Sequence, residues 1–182
     1  MLRRLFRRVP AKWPPPGPIT EWPGASFDGD LLAVRFDPHR RHIVDVVGEG
    51  AFQGSLERIG GGRTIDGARI RDHLAVLLPE PSNRYDQNAV RVAIVPSPSS
   101  RTWGYVGYLS REDAVAYRPL IDRLAEVGKL VACAASLTGG WDRGAGDRGN
   151  FGVRLHIGSA AHAMEELDRE PDNLRPAWET EA

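Results

Sequence analysis

The chain has 182 residues, 41% of them hydrophobic, which is enough for one ordinary domain core with tails. Lys plus Arg and Asp plus Glu stand at 24 each, and this neutral total argues against binding duplex DNA by gross charge. The single cysteine, Cys133, excludes an internal disulfide, and no stretch approaches the ~20 apolar residues of a membrane span.

Residues 1–38 read as a basic, Pro/Trp-rich arm, largely irregular. Its first twelve residues hold five basic groups (Arg3, Arg4, Arg7, Arg8, Lys12) and no acid. Five prolines between Pro10 and Pro18, another at Pro23, and the tryptophans Trp13 and Trp22 favour polyproline II over helix. The basic start lacks the apolar centre of a signal peptide, so a cytoplasmic protein is expected. The run LLAVRF at 31–36 suits either a first strand or a peptide lying on the domain.

Residues 39–160 carry the ordered part. HIVDVVGEG is β-branched and ends in glycines, a strand and a turn. FQGSLERIGGG allows a helical turn or two. HLAVLLPEP reads as a strand stopped by prolines, SNRYDQN as a turn, and AVRVAIV, which alternates, as the clearest strand. PSPSS is a loop and TWGYVGYL another strand. Ser110 and Asp113 form a capping-box pattern that opens a short helix, SREDAVAY. Pro119 suits the first turn of a second helix, with Leu120, Ile121, Leu124 and Val127 on one face and Gly128 at its end. LVACAASL and FGVRLHI are two more strands, joined by TGGWDRGAGDRGN. The reading is mainly β with short helices: a small barrel, Greek-key or OB-like, of about six strands with two or three inserted helices. Residues 161–182 form an acidic C-terminal tail with room for a short helix.

Catalytic and metal patterns are sparse. The five histidines (His39, His42, His73, His156, His162) show no ligand spacing, so neither metal nor cofactor is expected. The nucleophile elbow G-x-S-x-G does not occur. The glycine-rich loop 139–152, with Arg143, Arg148 and Trp141, matches neither the Walker nor the dinucleotide pattern, and a hairpin loop is the simpler reading. Cys133 lies in an apolar run that favours a buried small side chain over a reactive thiol.

Four pieces are more specific: V-V-G at 46–48, P-E-P at 79–81, N-R-Y-D-Q-N-A-V at 83–90 and V-G-Y-L-S-R-E-D at 106–113. In this order and spacing they resemble the HIRAN domain over about residues 42–157. That family occurs in some DNA-repair helicase-like ATPases and alone in bacterial proteins. The resemblance implies an OB-like barrel that binds single-stranded DNA or frayed 3′ ends and is not an enzyme by itself. No ATPase motif accompanies these pieces, so any catalysis is expected to come from a DNA-processing partner protein. The residues the resemblance points to are Tyr85 for stacking, Asp86 for a sugar hydroxyl, Arg111 and Tyr108 near phosphates, and the neighbouring Arg84 and Phe52. At Gly50 and Ala51 the chain departs from the family, whose DNA-binding members carry an Arg and an aromatic there. The rival reading is a protein-interaction module with a degraded DNA site, and a more distant one is an unrecognised hydrolase.

Overall fold

The computed structural model describes residues 33–35, 43–68, 73–95, 104–126 and 130–169. The expectations for residues 1–32, the PSPSS loop, Val127 and Gly128 lie outside these residues, as does the tail beyond 169. The elements are β1 (Ala33–Arg35), β2 (Ile43–Asp45), a 3-10 turn (Glu49–Phe52), α1 (Gln53–Ile59), β3 (His73–Pro79), β4 (Val90–Val95) and β5 (Gly104–Tyr108). They continue with α2 (Arg111–Glu126), β6 (Leu130–Gly139), β7 (Phe151–His156) and α3 (Ala160–Arg169).

Six strands form one curled antiparallel sheet in the order β2-β7-β6-β3-β4-β5. After the β3-β4-β5 meander, β6 returns through α2 to lie beside β3, which is a Greek-key arrangement. The two ends of the sheet meet: just past β2, Val47 exchanges both backbone hydrogen bonds with Tyr108 of β5, at 2.8 and 2.9 Å. The fold is thus mainly β and barrel-like, as the strand pattern predicts. The LLAVRF run contributes β1, which pairs in parallel with Leu130–Ala132 of β6.

Side-chain alternation explains both buried clusters. Ala75 and Leu77 of β3, Val92 and Ile94 of β4, and Val131 and Cys133 of β6 point into the main core. Their neighbours Val76, Leu78, Ala93 and Ala132 point the other way and form a second buried cluster with Tyr105. Strand β3 is therefore buried on both faces, which is why it reads as an unbroken apolar run.

Two expectations change. First, 111–126 is one helix, not two, and Pro119 sits inside it. Its missing donor and ring clash cost ~3 kcal/mol in a helix interior. Here Pro119 and Val115, the residue whose carbonyl it displaces, are both exposed, so the freed group meets water. On the other side Ala114, Tyr117, Leu120, Ile121 and Leu124 form an unbroken buried stripe across the proline. The start is as expected: Ser110 Oγ accepts from the Asp113 amide (3.1 Å) and donates to Asp113 Oδ2 (2.6 Å). Second, the short helix allowed for in the C-terminal segment is present as α3, and it packs into the domain rather than standing apart from it. Its Ala163 and Leu167 belong to the main core. Among the described residues no helix is long and apolar enough to cross a membrane.

Candidate functional site

Between β3 and β4 the chain makes a tight turn built by asparagine and aspartate side chains. Asn83 Oδ1 accepts from the amides of Tyr85 (2.9 Å) and Asp86 (3.2 Å), and Asp86 Oδ1 accepts from the Asn88 amide (2.9 Å). The turn lifts Tyr85 into solvent at 76% exposure, the highest among the large apolar and aromatic side chains of the described residues. Arg84 lies over the Tyr85 ring, 4.5 Å from its centroid, and also hydrogen-bonds its hydroxyl. From the start of α2, Arg111 Nε approaches Asp86 Oδ2 at 3.3 Å while remaining 82% exposed. About two helical turns further on, Arg118 reaches the Gln87 carbonyl (3.3 Å) and Asp122 (2.7 Å). The Asp86 carboxylate thus has one oxygen in the turn and one toward a solvent-facing guanidinium.

Beneath the turn lies a buried polar cluster on the second face of the sheet. Arg91 of β4 and Glu80, just past β3, are 5% and 8% exposed and form an ion pair. Arg91 Nε donates to the Tyr108 hydroxyl (3.0 Å), and that hydroxyl donates to Glu80 Oε2 (3.2 Å). The guanidinium also packs over the rings of Tyr105 (4.5 Å) and Tyr108 (5.4 Å). Burial is the main cause that raises the hydroxyl pKa of Tyr108 and pushes that of Tyr105 up to about 12. Glu80 Oε2 accepts in addition from Asn83 Nδ2 (2.9 Å), which connects the cluster to the turn above.

Of the residues singled out in the sequence, Arg84, Tyr85, Asp86 and Arg111 come together at the turn. Tyr108 and Phe52 meet each other, with ring centroids 6.2 Å apart and tilted by 58°. Phe52 is half-buried and packs against the second cluster, while Gly50 and Ala51 beside it are exposed. Sequence reasoning missed Glu80, Arg91 and Arg118. Glu80 stands within the P-E-P piece, and Arg91 is the lone charge in an otherwise apolar alternating strand. A charge in such a strand is the pattern that marks a paired buried group.

The glycine-rich loop is a hairpin between β6 and β7, as its flanking strands predict. Its charges are satisfied within it. Arg148 pairs with Asp142 (2.6 Å), Arg143 with Asp147 (3.5 Å), and Trp141 Nε1 donates to Asp147 (3.0 Å). The Arg148 hydrogen bond holds the Asp142 carboxyl below its ordinary pKa. Cys133 is fully buried, and burial pushes its thiol up to about 12. Among the described residues no group of three or more His, Cys, Asp or Glu is placed to hold a metal ion. Compared with family models, curated proteins and solved structures, the chain returns no match.

Proposed function

We propose that this chain is a non-catalytic nucleic-acid-binding module that takes single-stranded or frayed 3′ DNA ends at the 83–88 turn, as its resemblance to HIRAN domains implies. The observation that carries the reading is Tyr85. A tyrosine at 76% exposure contributes little to the fold, yet its backbone is fixed by Asn83, Arg84 lies over its ring, and Arg111 and Arg118 reach the next two residues of the turn, Asp86 and Gln87. A fixed aromatic with nearby guanidinium groups is what sequence-tolerant stacking on a base, with phosphate contacts beside it, requires. The Asp86–Arg111 pair offers an acceptor and a cation 3.3 Å apart. Those two groups match a terminal sugar hydroxyl and the phosphate next to it. The neutral whole-chain charge fits such a local site better than a duplex-binding surface.

The test is an anisotropy titration of a short labelled single strand at low salt, with wild type and Tyr85→Ala. The expected result is binding by wild type and a loss of roughly 1–3 kcal/mol in the variant, alike for all base sequences. Equal binding by the two proteins, or none by either, would overturn the reading and turn attention to a protein partner.

A further inference from the structure

The sequence assigns no role to Glu80, yet more of the site converges on it than on any residue that touches solvent there. Its carboxylate receives three donors from three different parts of the chain. Oε1 takes the Arg91 guanidinium of β4. Oε2 takes the Tyr108 hydroxyl of β5 (3.2 Å) and the Asn83 side-chain amide of the turn (2.9 Å). The Asn83 contact decides the orientation of a side chain that could otherwise flip. With Nδ2 donating to Glu80, Oδ1 must face the amides of Tyr85 and Asp86, where it accepts both. In addition the Asn83 amide donates to the Glu80 carbonyl (2.9 Å), and the Glu80 amide donates to the Ala89 carbonyl (2.8 Å). Glu80 therefore grips the turn at its base through both backbone and side chain.

We infer that Glu80 is a positioning residue: through Asn83 it sets the pose of Tyr85 and Asp86, and through Arg91 and Tyr108 it fixes that pose relative to the sheet. This rests on the nucleic-acid reading for its consequence in binding, but not for its consequence in the turn. The chemistry is specific to a carboxylate. Two acceptor oxygens serve three donors, one of them charged, at a position 8% exposed. A glutamine there must point either its amide group or its oxygen at Oε2's place. The first sets donor against donor at Asn83, and the second does so at Arg91.

Two substitutions test this. Glu80→Gln changes the carboxylate itself. Asn83→Asp leaves the Glu80–Arg91 pair intact and keeps an acceptor for the Tyr85 and Asp86 amides, but replaces the donor facing Glu80 with a second carboxylate oxygen. It serves where Glu80→Gln fails to fold. Amide hydrogen exchange is read at Tyr85 and Asp86, against core amides such as Val92 as the folding control. The same proteins are titrated with the labelled single strand, in wild-type and Tyr85→Ala backgrounds. The expected result is faster exchange at Tyr85 and Asp86 with the core protected. Affinity should fall about tenfold in the wild-type background, within what stacking on one aromatic supplies, and little further once Tyr85 is gone. That non-additivity separates positioning from a general loss of stability. Unchanged exchange at both amides in either folded variant overturns the inference. So does an equal affinity loss with and without Tyr85. Faster exchange in a protein whose wild type binds no strand upholds the role of Glu80 and sinks the nucleic-acid reading alone.

Discussion

Tyr105 and Tyr108 stand three residues apart on β5, yet both rings flank the same guanidinium of Arg91. A regular strand would send them to opposite faces. The register explains the exception: Val92 pairs with Gly107 and Ala93 with Tyr105, so Val106 is an extra residue, a β-bulge. Gly107 makes it feasible. Its φ is 153°, and a β-carbon there would stand 2.5 Å from the Val47 carbonyl oxygen and inside the Val46 side chain. Gly107→Ala should therefore break the Val47–Tyr108 bridge that joins the sheet ends, at a cost of roughly 2 kcal/mol or more. Urea unfolding measures it, and a midpoint equal to wild type would show that the bridge contributes nothing.

The two arginine–carboxylate pairs of the site should behave oppositely. Arg91 and Glu80 are buried, so Arg91→Met leaves a carboxylate without its cation, and a loss of roughly 3–5 kcal/mol is expected. Arg111 is exposed, and Arg111→Ala should change stability by less than about 1 kcal/mol. Denaturant midpoints for the two variants give the comparison. Similar losses in both would mean that burial does not separate them.

Residue pattern carries the element order well and the site only in part. The alternation of AVRVAIV, the capping pair Ser110–Asp113 and the turn formers of SNRYDQN each express a local preference that the tertiary structure keeps. The single helix through Pro119 was not legible, because the five side chains that hold it on its buried side act across a residue that locally predicts a break. The exposed half of the site, at Arg84, Tyr85, Asp86 and Arg111, lies on two short contiguous pieces and could be read from them. The buried half left a weaker mark: the lone charge of Arg91 in β4 signals a buried partner without saying which residue it is. Arg91 faces Tyr108 directly across the β4–β5 register, a pairing between distant pieces of sequence, and Tyr105 joins them only because the bulge at Val106 turns it to the same side; a bulge leaves no mark in a period-two pattern.

Alkaline pH should expose the cost of burying Cys133. Burial raises its pKa from 9.0 to about 12 in the folded protein, while the unfolded thiol keeps the ordinary value. With a raised folded pKa the stabilisation is complete below pH 9 and is lost as pH climbs toward 12, because the unfolded chain releases the proton first. Cys133→Ala removes this term. The denaturant midpoint of wild type should fall between neutral pH and about pH 10.5, and that of the variant should fall less. Parallel declines would assign the alkaline loss elsewhere, to the tyrosines. A thiol reagent should find no reactive group in native protein at neutral pH and one in urea.

The last prediction separates the two ends of the Asp86–Arg111 pair. Arg111, almost wholly in solvent, should neutralise about one phosphate of a bound strand. Arg111→Ala should then flatten the dependence of log affinity on log salt by roughly 0.7, the single-strand value per phosphate. Asp86 should act on end chemistry instead. Its Oδ2 is the oxygen turned toward Arg111, whereas Oδ1 is engaged with the Asn88 amide. A 3′-hydroxyl arriving there can donate to the carboxylate, but a 3′-phosphate meets its charge. Wild type should therefore bind a strand ending in a free 3′-hydroxyl more tightly than its 3′-phosphorylated twin. Asp86→Asn keeps the Oδ1 acceptor that closes the turn and removes the charge, so it should narrow the difference without unfolding the protein. It should also leave Arg111 without its neighbouring carboxylate, and affinity for the phosphorylated strand should rise rather than merely persist. Anisotropy with both strands on wild type, Asp86→Asn and Arg111→Ala, with circular dichroism for folding, reads all three effects. If wild type binds both ends equally, Asp86 serves only the turn, and the end-recognition part of the proposal fails while stacking on Tyr85 still stands or falls by its own variant.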